Sequence, residues 1–313
     1  MQPVIEHEIN IGDTKALSNF FLPIETETAT LPTMKKDQPR VWITGSGGLI
    51  GHQLALAAAR FAPHFHVIPL ARADLDLTDF AAVEKKFRAD RPQWVIHCAA
   101  LSRPADCQAN PAAARRLNVE AAAHLAALAA EGGFIFFSSD LVFDGQKGGY
   151  VESDPPNPLH IYAETKAAAE EIILRNRRHI VLRAGLNSGT SLSGRRSFNE
   201  EMAAIWRAGG SVKLFSDEFR CPIPAAATAR AVWELARPGC AGLYHLAGSE
   251  RLSRVEIGRV VAARHPELAA RIEAASRRDY RGPPRPADAS LNCGKVQALL
   301  SFPLPAFSAV AEL

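Results

Sequence analysis

The sequence predicts an α/β fold: a doubly wound parallel sheet of Rossmann type with a smaller C-terminal part folded against it. Three observations lead there. From Arg40 onward, short unbroken apolar runs alternate with alanine-rich stretches of helical length, as expected for parallel strands buried on both faces. A glycine-rich turn separates the first run from the first helix. The chain has 313 residues, 47% hydrophobic and 22% charged, which is enough for one large core.

The elements follow in order. Residues 1–39 contain "IETETATLPTMKKDQP", polar, Thr-rich and aperiodic, and read as an irregular N-terminal leader with Met34 as an alternative start of translation. Strands are expected at 41–44 ("VWIT"), 67–70 ("VIPL"), 94–100 ("WVIHCAA"), 134–139 ("FIFFSS") and 180–184 ("IVLRA"). Helices are expected near 49–61, 79–90, 111–131 and 160–177. Right-handed crossovers wind these into one sheet over residues 40–184. After residue 185 the rhythm loosens into the polar "GLNSGTSLSGRRSF" and the Pro-rich "RGPPRPADAS", although "GLYHL" still reads as a buried strand. Residues 185–313 therefore form a smaller part interleaved with the main sheet.

Composition narrows the function classes. Net charge is +3 and the basic residues are scattered, so nucleic-acid binding is not expected. Five cysteines without a CxxC pair point to free thiols in a reducing compartment and to no metal site. No apolar run reaches the roughly 20 residues of a membrane span, and no secretory signal precedes the fold. A cytoplasmic, soluble protein is expected, as a monomer or homodimer.

In "VWITGSGGLIGHQLALAAAR", Gly45, Gly48 and Gly51 lie between the first strand and the first helix. Glycine allows close backbone approach there, and the helix start offers free N–H groups to a pyrophosphate, with Leu49 and Ile50 in the same loop. Residues 40–184 are thus expected to bind NAD(P). The acidic ribose partner expected after the second strand is missing, and Ala71 and Arg72 stand in its place. Arginine can hold a 2′-phosphate, which favours NADP(H) over NAD(H); the alternative has Arg72 stacking on adenine or facing solvent. Asp76 and Leu77 lie where adenine would sit, and Asp76 reads equally well as a neighbour of a helix cap.

"PLHIYAETKAAAEEI" places Tyr162 and Lys166 four residues apart on one helical face. A nearby ammonium lowers the pKa of a phenol and fits it for proton transfer. Ser138 and Ser139 end the fourth strand at its carboxyl edge, where ligands bind in open α/β sheets.

TGxxGxxG, the order Ser–Tyr–Lys and "HCAA" together resemble extended short-chain dehydrogenase/reductases. "SSDLVFDG", "YVESDPPNPLHIYAETKAAAE", "GLYHLAG" and "RPADASLNCGKV" are similar to the dTDP-4-dehydrorhamnose reductase branch, over about residues 40 to 300. The resemblance implies NAD(P)H-dependent reduction of the 4-keto group of a nucleotide-linked deoxysugar, as for dTDP-L-rhamnose. It implies Tyr162 as proton donor, Lys166 as its electrostatic partner and ribose ligand, and Ser139 beside the substrate carbonyl. Asp140 would meet the sugar, Ala99, Ala100, Leu101 and Ser102 the nicotinamide side of the cofactor, and Leu186 and Arg285 the substrate. Arg183 is expected to be structural, and Arg281 or Arg285 to face a diphosphate.

Departures from the branch gather in the substrate pocket. Leu141 and Leu186 replace aromatics, His160 and Ala163 replace Asn and Gly, and Arg220 in "DEFRCPI" replaces a small residue. A second reading is a non-catalytic NADP-binding regulatory subunit resembling the β-subunit of methionine adenosyltransferase. A third is an NAD-dependent nucleotide-sugar epimerase.

Overall fold

The structure, a computed structural model, describes residues 38–310. The expected leader, apart from Gln38 and Pro39, and Met34 lie outside the described residues. The chain runs β1 (Arg40–Thr44), α1 (Leu49–Phe61), β2 (His66–Leu70), α2 (Phe80–Asp90), β3 (Trp94–His97), α3 (Pro104–Ala109) and α4 (Pro111–Arg115). A π-helical segment, Arg116–Ala121, leads into α5 (Ala122–Leu128) and β4 (Gly133–Ser139). Next come a 3-10 turn (Asp140–Val142), α6 (Ile161–Ile173), β5 (Ile180–Ala184), β6 (Asn187–Ser188), α7 (Phe198–Arg207), β7 (Ser211–Phe215), β8 (Phe219–Arg220) and β9 (Ile223–Pro224). The rest is α8 (Ala225–Leu235), β10 (Gly242–Leu246), β11 (Leu252–Ser253), α9 (Arg254–Ala263), β12 (Arg271–Ala275) and α10 (Gly294–Gln297).

Six strands form one sheet in the order β10-β5-β4-β3-β1-β2, every neighbouring pair parallel. All seven residues of β4 and all five of β5 are buried, as their unbroken apolar runs foretold. One face carries α1 and α8 over Val41, Ile43, Ile96, Ile135 and Leu182. The other carries α2, α5 and α6 over Trp42, Val95, Phe134, Phe136 and Val181. The chain reverses direction across the sheet between β1 and β3, and in such folds the crevice for a ligand opens at the carboxyl ends there.

Two expectations change in detail. The third strand stops at His97, because Cys98 and Ala99 must pass directly beneath Gly45 and leave the sheet to do so. The long helix expected over 111–131 is α4, the π-helical segment and α5, preceded by the separate α3. The "GLYHL" strand is β10, and it joins the main sheet beside β5. A separate apolar cluster, with Met202, Trp206, Val212, Leu214, Ile257 and Phe307, organises the C-terminal part around α7, β7 and α9.

Candidate active site

The glycine turn is dictated by contact. A Cβ on Gly45, whose φ is +71°, would come within 2.7 Å of the Ala99 nitrogen, and one on Gly51 within 2.5 Å of the Gly45 oxygen. Such distances forbid any side chain, so both positions require glycine. Gly48 caps α1 without any side-chain acceptor. The first N–H groups of that helix, at Leu49, Ile50 and Gly51, are thereby left for an anion.

Beyond β2, Arg72 is exposed. The Asp76 carboxylate accepts both the backbone N–H and the hydroxyl of Thr78, which hold its pKa down, with Arg72's charge acting in the same direction. Asp79, not Asp76, caps α2 by accepting from the Ala82 N–H. Leu77 is buried in the core, so its side chain packs inward and is not offered to an adenine. Ala99, Ala100 and Leu101 are partly buried, and Ser102 is exposed.

Ser139, Asp140, Tyr162 and Lys166 are all buried. The end of β4 places Ser139 against Tyr162 on α6, close enough for its hydroxyl to pull on the phenol's ionisation. Lys166 projects under the crevice, its Nζ 4.1 Å from the centroid of the Phe136 ring, and its charge is felt by His97 and Cys98 at the end of β3. The serine, tyrosine and lysine thus converge near the strand end that supports the glycine turn.

The expected lowering of the tyrosine pKa is not what the structure gives. Burial pushes the Tyr162 phenol up to about 12, against the downward pull of the nearby Ser139 hydroxyl. Burial also brings Lys166 down to about 8, with Glu170 holding it up. Desolvation outweighs the charge of Arg220 on Tyr162 and of Glu170 on Lys166, because the aromatic and apolar walls exclude water from both groups.

Around this core stand groups that fix it. Asn118, fully buried in the π-helical segment, accepts from the Leu101 N–H and donates to the Leu101 carbonyl and to the Thr165 hydroxyl. It ties the loop after β3 to α6. No motif flagged it; the only signal was a polar residue on an otherwise apolar helical stripe. Arg183 is structural as expected. It grips Glu170 through Nε and Nη2 inside the core, and Ser138 donates to the same carboxylate.

The substrate side differs more from expectation. Both oxygens of Asp140 accept from Arg220, through Nε at 2.6 Å and through Nη2, and Ser139 donates to Oδ1 at 3.1 Å. Burial pushes the Asp140 carboxyl up, opposed by the charge of Arg220. Glu218 is held by Arg285, whose Nη2 lies 2.8 Å from Oε1, and stays below its ordinary pKa despite burial. The Arg285 guanidinium also lies 5.3 Å from the Phe215 ring and 5.6 Å from the Tyr280 ring. Arg254 joins the same charge cluster, and its Nη1 is buried without a hydrogen-bond partner among the described residues. Leu141 packs with Cys107 and Tyr162, while Leu186 packs into the C-terminal cluster. A cleft of about 530 Å³ opens beside the start of α6, between His160, Glu164, Gln108, Arg281, Pro283 and Pro284.

The arrangement suits ketone reduction: an anion-ready helix start, a buried phenol beside a serine hydroxyl, a cation beneath, and arginines on the substrate side. Among the described residues no cluster of His, Cys, Asp or Glu could hold a metal ion, and no helix is long and apolar enough to cross a membrane.

The profile of one family, described as the RmlD substrate binding domain, matches residues 39–312. The methionine adenosyltransferase 2 subunit beta of Rattus norvegicus is 29% identical over 92% of this chain and 90% of its own. A dTDP-4-keto-6-deoxy-D-glucose reductase of Streptomyces niveus is 30% identical over 65% of this chain and 70% of its own. The crystal structure of dTDP-4-dehydrorhamnose reductase from Bacillus anthracis, in complex with NADP, shares the fold with a TM-score of 0.80 and 21% identity, covering 87% of this chain and 96% of that one.

Proposed function

The chain belongs to the family of the RmlD substrate binding domain, and from that premise we propose that it reduces the 4-keto group of a nucleotide-linked deoxysugar with NAD(P)H, in the manner of a dTDP-4-dehydrorhamnose reductase. The observation that carries the reading is the convergence of Ser139, Tyr162 and Lys166 beside the glycine turn. The cofactor, when bound, supplies the hydride. Gly45, Gly48 and Gly51 with the uncapped start of α1 seat its pyrophosphate, and exposed Arg72 favours the 2′-phosphate of NADP(H). Ser139 donates a hydrogen bond to the substrate carbonyl, and Tyr162 gives that oxygen its proton. A phenol with a pKa of about 12 is fully protonated at neutral pH, which is the form a reductase needs. Lys166 stabilises the phenolate left behind. Arg254, whose Nη1 has no hydrogen-bond partner among the described residues, meets the anionic part of the substrate, while Arg285 is held by Glu218. The cysteines, all free, suit a reducing cytoplasm.

The test is NADPH and NADH consumption with a panel of nucleotide-linked 4-ketosugars. Turnover by the parent, reduced about 100-fold or more in Tyr162→Phe, is expected. Equal rates in the two proteins would remove Tyr162 from the mechanism.

One observation favours a second reading, a non-catalytic NADP-binding regulatory subunit. Asp140, expected at the sugar, is closed off by Arg220, and the methionine adenosyltransferase β-subunits resemble nearly the whole chain. NADP binding with no turnover on any ketosugar, together with one stoichiometric protein partner, would support it.

A further inference from the structure

Resting on the nucleotide-sugar reading, we propose that Arg220 is a specificity-determining residue that withdraws Asp140 from the sugar. Asp140 sits immediately after Ser139, where the site would offer a carboxylate to a sugar hydroxyl. Both of its oxygens already face a cation. The forked guanidinium takes one N–H to each oxygen. The side chains are 7% exposed for Arg220 and 1% for Asp140, so no water competes for the pair. A sugar hydroxyl reaching Asp140 would meet a carboxylate whose charge a bidentate guanidinium already offsets inside a desolvated site, so its hydrogen bond there is weak.

The pair also spans the molecule's two parts. It joins the turn after β4 to β8, which are 80 positions apart in sequence. Glu218, 3.8 Å from Arg220 Nη1, backs the guanidinium from its own strand segment. Both members lie close enough to Tyr162 to act on its ionisation in opposite directions, which places the pair at the reacting end of the crevice rather than at a remote edge. The sugar ring is therefore read without a carboxylate acceptor. Affinity comes from the nucleotide and diphosphate, and discrimination among sugars at this corner is weak.

The inference makes a binding prediction that needs no turnover. Titration calorimetry on the full chain loaded with NADP would compare dTDP with dTDP-rhamnose. In the parent the two are expected to bind within about threefold of each other. Arg220→Gly, which releases Asp140, is expected to tighten dTDP-rhamnose about tenfold or more while leaving dTDP unchanged. Arg220→Lys keeps the charge but not the fork, and is expected to give a smaller gain in the same direction even where the glycine variant folds poorly. A parent that already prefers dTDP-rhamnose about tenfold would overturn the proposal, as would an unchanged ratio in both variants. Loss of affinity for both ligands in Arg220→Gly would mean that Arg220 holds the diphosphate, and would overturn it as well. If the parent and both variants bind neither ligand, the nucleotide-sugar reading itself falls and the inference falls with it.

Discussion

At the scale of single residues, burial decides more than neighbouring charge. Tyr162 and Lys166 were legible as a pair from their spacing, but spacing carries no information about solvent. The aromatic floor at Phe136 and the leucine packed on Tyr162 raise the phenol and lower the ammonium. A pH dependence follows, and its sign is fixed by Lys166. The lysine is cationic below its folded pKa of about 8 and neutral above it, whereas Tyr162 keeps its proton until about 12. Reduction that needs both protonated groups is expected to be flat near neutrality and to fall as pH rises through about 8. Profiles of kcat/KM against pH would show this limb, and in Lys166→Arg, whose guanidinium keeps its charge, the limb should vanish from that range. A limb unchanged by that substitution would assign the titration to another group.

At the scale of elements, the π-helical segment between α4 and α5 earns a functional explanation. The wider turn carries Asn118 to a point where its amide meets both Leu101 and Thr165. Such segments recur at functional sites because they re-aim a side chain within a helix. Replacing Asn118 by Ala leaves the Leu101 N–H without its buried acceptor and its carbonyl with the Cys107 thiol alone. A loss of about 2 kcal/mol in stability is expected from urea unfolding, with weaker NADP binding because the loop after β3 is no longer tied to α6. A variant with parent-like stability and affinity would show that the tie is dispensable. The sequence could not announce this, because "RLNVEAA" fits an ordinary α-helix equally well.

At the scale of the whole molecule, the C-terminal part is not an appendage. β10 extends the main sheet beside β5, and α8 packs on α1, where the Trp233 indole donates to the Leu54 carbonyl at 3.0 Å. Ending the chain at residue 184 would strip β5 of a neighbour and expose one face of the core around Ile43, Leu54 and Leu182. Residues 40–184 alone are expected to give no cooperative thermal transition, while residues 38–310 should melt in one step. A cooperative transition in the shorter chain would restore an independent cofactor domain. The strands, the main helices and the glycine turn were written in the chain itself, since apolar runs, helical periodicity and a glycine triplet between a strand and a helix are local patterns. The pairing of Tyr162 with Lys166 was likewise legible, because four positions on a helix define a face. Only the tertiary structure decided what surrounds them. The water-free walls that shift Tyr162 and Lys166, the seat of Asn118 and the Arg220 fork on Asp140 depend on segments up to 80 positions apart coming together, and no local pattern encodes the distance between such segments.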